Sequence, residues 1–248
     1  MIKVFNSIRQ KLISQNKLSK YLVYAIGEII LVVIGILIAL QVNNWNEELK
    51  TRKEEQNTLV KLFRESDEIV NYLNDVCNRY DTLILKINKS ANALNNKALN
   101  EMSEEDFAFG VYSTAYFESI SPPKSTFEEL NSTGKINAIQ SESVRISISN
   151  YYSKLEYINT QLVYFRNQFT KPVDYGSKDF VYKYDKRSNE KIKALVNFNN
   201  LANNDLFISK HVKALRDQIV FNEDRKVLLG FAKSMYQELK TEVGKNND

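Results

Sequence analysis

Residues 21–42 read YLVYAIGEIILVVIGILIALQV, an apolar run in which Glu28 is the one charge. Twenty-two helical residues reach roughly 33 Å, enough for a hydrocarbon core of roughly 30 Å. Tyr21 and Tyr24 stand at one end of this run and Trp45 just beyond the other, where interfacial aromatics belong. After it the pattern becomes periodic. No Pro or Gly lies between Ala39 and Gly110, so one helix is expected to run unbroken from Tyr21 to near Leu94. Along it Leu59, Ser66, Leu73, Tyr80, Ile87 and Leu94 take one seam of a heptad, and Leu62, Ile69, Val76 and Leu83 the other.

Further elements follow from their ends. Ser103 before Glu104, Glu105 and Asp106 predicts a helix start, with the helix reaching Phe117 before Ser121-Pro122-Pro123-Lys124 breaks it. Two overlapping capping boxes, Ser125 with Glu128 and Thr126 with Glu129, predict the next start, and Gly134 its left-handed stop. Val144, Ile148, Tyr151, Leu155, Ile158, Leu162, Phe165 and Phe169 form a heptad that Pro172 ends. Residues 172–200, with Tyr175, Phe180, Tyr182 and Tyr184, read as a long connection holding a short strand or helix. A last long helix is expected from Asp205 to Val243, with Ile208, Val212, Leu215, Ile219, Leu228, Ala232, Met235 and Leu239 on its apolar face. Val4, Phe5, Ile8, Leu12 and Ile13 fit either a short amphipathic helix on the headgroups or a disordered basic tail.

The expected fold is all-α: one N-terminal transmembrane helix continuing into a long helix of an antiparallel helical bundle. Three segments follow: 1–20 as a basic amphipathic cytoplasmic tail, 21–42 as the transmembrane helix, and 43–248 as an extracytoplasmic helical-bundle domain. With 7 Gly and 3 Pro in 248 residues, a turn-rich sandwich is disfavoured.

Charge sharpens this picture. The net charge is +4, yet residues 1–20 hold Lys3, Arg9, Lys11, Lys17 and Lys20 without an acid, and the segment after the anchor is neutral. The basic surplus thus sits beside the membrane, where it suits a lipid bilayer as partner, and nucleic acid is not expected as one. The short basic tail favours a cytoplasmic N-terminus. Gln41-Val42-Asn43-Asn44-Trp45 lacks a small-x-small cleavage pattern, so the anchor is expected to stay. Cys77, the single cysteine, reads as a small core residue.

Candidate chemistry is sparse. Gly35 and Ala39 lie within about 20° of Glu28 on a helical wheel, and Tyr21 extends the stripe. A polar group and a small-x-x-x-small pair on one stripe predict a membrane-helix partner face at Glu28, Gly35 and Ala39. Two readings of Glu28 stay open beside it: snorkelling to the headgroups and carrying a proton. His211, the sole histidine, is expected at the surface or half-buried. No nucleophile elbow, phosphate loop or His/Cys cluster is present, so no catalytic residue, cofactor or metal is expected. Glu47-Glu48, Glu54-Glu55 and Glu128-Glu129 read as solvated faces, and tyrosines at heptad positions as core.

The run from Gly27 to Glu47, GEIILVVIGILIALQVNNWNE, resembles the N-terminal signature of an uncharacterised family of small single-pass membrane proteins from Gram-negative bacteria. Phe127-Glu128-Glu129-Leu130-Asn131-Ser132-Thr133-Gly134-Lys135-Ile136 is similar to that family's second motif, and the helix with Tyr151-Tyr152 fits after it. The resemblance implies an inner-membrane anchor and a periplasmic helical domain, and no activity. It marks Glu28, Trp45, Glu129 and Gly134 as motif positions of unassigned role. The expected function is a membrane-anchored interaction or sensor module, not an enzyme, whose partner is a second copy or a polytopic membrane protein. An accessory subunit of a proton-driven motor or transport complex using Glu28 is the alternative.

Overall fold

The computed structural model describes residues 18–169, 179–184 and 192–245. Helix α1 spans Leu18–Asn96, a stretch that holds no Pro and no Gly after Gly35. It stops where Lys97 and Asn100 turn left-handed, at φ of 52° and 50°. Then come α2 (Glu104–Ser113), α3 (Ser125–Thr133), a 3-10 turn (Lys135–Ala138) and α4 (Glu142–Phe169). Strands β1 (Phe180–Tyr184) and β2 (Ile192–Val196) form an antiparallel pair with Phe180 opposite Val196. Helices α5 (Phe198–Ala202) and α6 (Asp205–Lys245) complete the order. The protein is all-α, with one small hairpin inside the long connection. Of the expected tail 1–20, residues 1–17 lie outside the described residues, as does Tyr175, while residues 18–20 already belong to α1.

The chain divides into two compact units, Met1–Gln56 and Asn57–Asp248. In the first, the large apolar side chains from Leu22 to Val42 are 46 to 73 % exposed. In the second, the heptads are the core. Leu59, Ser66, Leu73, Tyr80, Ile87 and Leu94 are all buried, as are Leu62, Ile69 and Val76, while Leu83 is half-buried. Val144, Ile148, Tyr151, Leu155, Ile158 and Leu162 are buried against them. Helix α6 runs antiparallel to α1. Phe63 meets Tyr236, Tyr80 meets Arg225 and Ser90 meets His211, so one numbering falls as the other rises. It is antiparallel to α4 as well, since Lys154 pairs with Asp224 and Phe165 packs on Phe221.

Gly110 sets how near α2 comes to α1. A Cβ there would lie 2.7 Å from the Lys86 carbonyl oxygen and 2.7 Å from Ser90 Oγ. Ser103 caps α2 by accepting the Asp106 N–H at 3.0 Å, as expected. Cys77 is buried, and its thiol pKa is raised by that burial and by Asp81.

Four expectations are corrected. Helix α2 ends at Ser113, not Phe117, because the Thr114 and Tyr116 carbonyls accept from Gln218 Nε2 at 3.3 and 2.9 Å. The last helix continues past Val243 to Lys245. Neither capping box forms: Lys124 is the N-cap of α3 and makes no side-chain cap, and Glu128 pairs with Lys124 at 2.7 Å instead. On α6, Val212 and Ile219 are exposed, whereas His211, expected at the surface or half-buried, is 4 % exposed. The buried face of that half of α6 is mixed: beside Ala214, Leu215 and Phe221 it carries the polar His211, Gln218, Asn222 and Arg225, each facing a group on α1 or beside it.

Candidate functional site

The predicted partner face lies in the first unit. Gly35 and Ala39 are exposed, nothing stands within 4 Å of where a Gly35 Cβ would be, and Glu28 is half-buried. Helical geometry puts Glu28, Gly35 and Ala39 on one stripe of α1. Trp45 is 63 % exposed. The second motif falls in the bundle. Glu129 is exposed, with an oxygen 4.0 Å from Lys61 Nζ, a distance and exposure that contribute little. Gly134 closes α3 at φ 68°, the left-handed cap that glycine adopts without a Cβ penalty, and its N–H donates to the Asn131 carbonyl.

What anchors that motif is a residue the sequence reading did not single out. Glu65, 6 % exposed, reaches from α1 to the start of α3. Its carboxylate accepts from Ser125 Oγ at 3.1 Å, from the Thr126 N–H at 2.6 Å and from the Phe127 N–H at 3.2 Å. Tyr152 Oη donates at 3.5 Å from the other side. A helix N-terminus carries unpaired N–H groups and a partial positive charge, so an acid from another helix can do what a local cap would do. Phe127 stacks on Tyr152 with ring centroids 3.5 Å apart, clamping the motif to α4. Burial, followed by Glu65, raises the Tyr152 phenol pKa, which keeps its proton on the donating oxygen. A groove of about 440 Å³ lies at the α1–α2 turn around Asn96 and Met102. The groove along α3 and α4 holds about 770 Å³ and is lined by Lys124, Phe127, Asn131, Tyr152, Glu156, Asn159 and Val163 among others.

The second polar constellation is the α1–α6 seam. Arg225 is wholly buried, its guanidinium carbon 3.4 Å from the centroid of the Tyr80 ring. Among the described residues its three guanidinium nitrogens have no hydrogen-bond partner. Burial lowers its pKa, and its guanidinium lies over the face of the Tyr80 ring, whose Oη accepts the Glu118 N–H at 3.0 Å. Asn222 Nδ2 donates to Asp81 Oδ1 at 2.6 Å, and Lys226 Nζ stands 3.1 Å from the same oxygen. Ser90 Oγ donates to the Ile87 carbonyl at 2.8 Å, so His211 Nε2, 2.9 Å away, supplies the hydrogen of their contact. Burial pushes the His211 pKa down to about 4, and the ring is neutral at pH 7. Two signals in the sequence pointed here: His211, Gln218, Asn222 and Arg225 recur at heptad steps, and Glu65 adjoins the seam residue Ser66. Among the described residues no group of three or more His, Cys, Asp or Glu could hold a metal ion.

Among those residues one helix, α1, is long and apolar enough to cross a membrane. No curated protein and no solved structure matches the chain. A model of a family of unknown function, DUF6090, matches residues 28–180, a stretch holding Glu28, Glu65 and the whole of α2, α3 and α4 but not α6. With more than half of its length matched, the chain belongs to this family.

Proposed function

We propose that the protein is a single-pass, membrane-anchored helical interaction or sensor module without catalytic activity of its own. The observation that carries this reading is the N-terminal part of α1, where apolar side chains from Leu22 to Val42 stay exposed on every side. A contiguous apolar surface of that kind is unfavourable in water, and lipid or another membrane helix covers it. The five basic residues of segment 1–20 support a cytoplasmic N-terminus. On this reading the bundle is periplasmic and the anchor lies in the inner membrane. The stripe of Glu28, Gly35 and Ala39 supplies the contact with a second copy or a polytopic partner.

The test is co-purification of the full chain from native membranes in mild detergent. Gly35→Leu and Glu28→Leu are expected to lose the same companion protein, with Glu28→Gln milder because an amide still hydrogen-bonds. Retention of the companion by all three variants would reject the partner face. If Glu28→Gln abolishes function while the complex survives, the alternative stands: an accessory subunit of a proton-driven motor or transport complex.

A further inference from the structure

We propose that the cleft between α1 and α2 binds a small apolar carboxylic acid. This goes beyond the anchored-module reading and holds whatever covers the N-terminal part of α1. The cleft has a volume of about 380 Å³, within the range of small-molecule sites. Its floor is Tyr80, 1 % exposed, and Leu83 and Tyr112 form its sides. Phe109 and Tyr116 stand at its rim, 48 and 51 % exposed, and Arg79 lines its mouth. The Tyr116 side of the cleft is tied in place. Gln218, wholly buried, ties the Thr114 and Tyr116 carbonyls to α6, and Tyr80 Oη fixes the next stretch through the Glu118 N–H. Gly110 sets the α1–α2 separation near Lys86 and Ser90.

Charge selects the occupant. On the cleft side of α1, Arg79 lines the mouth and Lys86, seven residues on, sits 4.4 Å over the Phe109 ring. The acid that faces Arg79 is Glu118, at 3.6 Å with both side chains about half exposed. That is a weak, solvent-screened contact, which a ligand carboxylate can displace. A guanidinium fork matches a carboxylate with two parallel hydrogen bonds, so the acid group belongs at Arg79 and the apolar body over Tyr80 and Leu83.

The experiment uses the full chain in phospholipid nanodiscs, with decanoate carrying a carbon-13 carboxyl as probe and empty discs as control. A saturable component absent from empty discs is expected. Arg79→Gln should weaken it at least about tenfold, as loss of a charged fork implies. Glu118→Gln should tighten it several-fold by removing the competitor for Arg79, a gain that mere structural damage would not produce. Leu83→Trp should abolish it by filling the cleft; if that variant loses helix content, the opposed Arg79 and Glu118 effects decide. Equal affinities in the Arg79 and Glu118 variants, equally tight methyl decanoate, or no saturable component at all would overturn the proposal.

Discussion

The contact between α1 and α6 has two halves built on different chemistry. In one, Leu59, Leu62, Ile69 and Leu73 share a core with Leu228, Ala232, Met235 and Leu239. In the other, Tyr80, Asp81 and Ser90 face Arg225, Asn222 and His211. Burial in the apolar half stabilises without direction, at about 25 cal/mol per Å² of apolar surface. Each group in the polar half needs one partner at one height. A slip of α6 by one turn would keep much of the first half's contact but leave His211 and Asn222 without their hydrogen bonds. The apolar half therefore supplies most of the cohesion, and the polar half sets the register. The polar half also holds the clamps that keep the α1–α2 cleft open, through Gln218 and Tyr80.

The largest expected effect breaks the apolar half. Leu73, 0 % exposed, is central to it. Leu73→Ala should cost about 4 kcal/mol through lost transfer energy and the cavity left behind. Thermal melting of the full chain, followed by near-ultraviolet circular dichroism, measures this. A loss under 1 kcal/mol would mean that the apolar half is not the main source of cohesion.

Acid should act on the polar half through His211. Its folded pKa, about 4, lies below the ordinary value of 6.5, so between these values the unfolded chain binds more protons. The stabilisation is complete above pH 6.5 and is lost as pH falls toward 4, about 3 kcal/mol in all. His211→Gln should remove that share of the acid sensitivity. The check is the difference in melting between wild type and variant at pH 7 and at pH 4; parallel curves would refute it.

Glu65→Ala tests the clamp that ties α3 to α1. Removing a buried carboxylate that serves three donors of α3 should cost about 2 kcal/mol, and Glu65→Gln should recover part of it. Hydrogen exchange at Thr126 and Phe127 should accelerate in the alanine variant. Unchanged exchange there would remove Glu65 from the role.

The smallest effect has the opposite sign. Arg225 is a buried cation whose guanidinium makes no hydrogen bond among the described residues. Its desolvation is offset chiefly by the Tyr80 ring. Arg225→Met should be neutral or stabilise by about 1 kcal/mol, while loosening the register of α6. A destabilisation of several kcal/mol would show that the cation contributes more than its stacking implies.

The α helices and the apolar core were legible in the sequence because their cause is local. Heptad steps of three and four put Leu59, Leu73, Val144 and Leu155 on buried faces whatever their partners are. With no Pro anywhere in it and no Gly after Gly35, α1 runs on from Leu18 to Asn96, and Gly134 capped α3 where its type predicts. The exposed apolar stretch around Glu28 was equally plain, since span length and charge scarcity need no tertiary information. Only the tertiary structure decided the rest. Ser125 and Thr126 carried the spacing of capping boxes, but Glu65, sixty residues earlier, competes better because it is charged and pre-positioned on α1. Val212 and Ile219 lost the buried face to His211 and Gln218, because Ser90 and the Thr114 and Tyr116 carbonyls stood opposite and needed donors. A hydrophobic pattern identifies a face by its mean character. Which polar side chain is buried depends on the partner it meets, and that partner is brought near only by the fold.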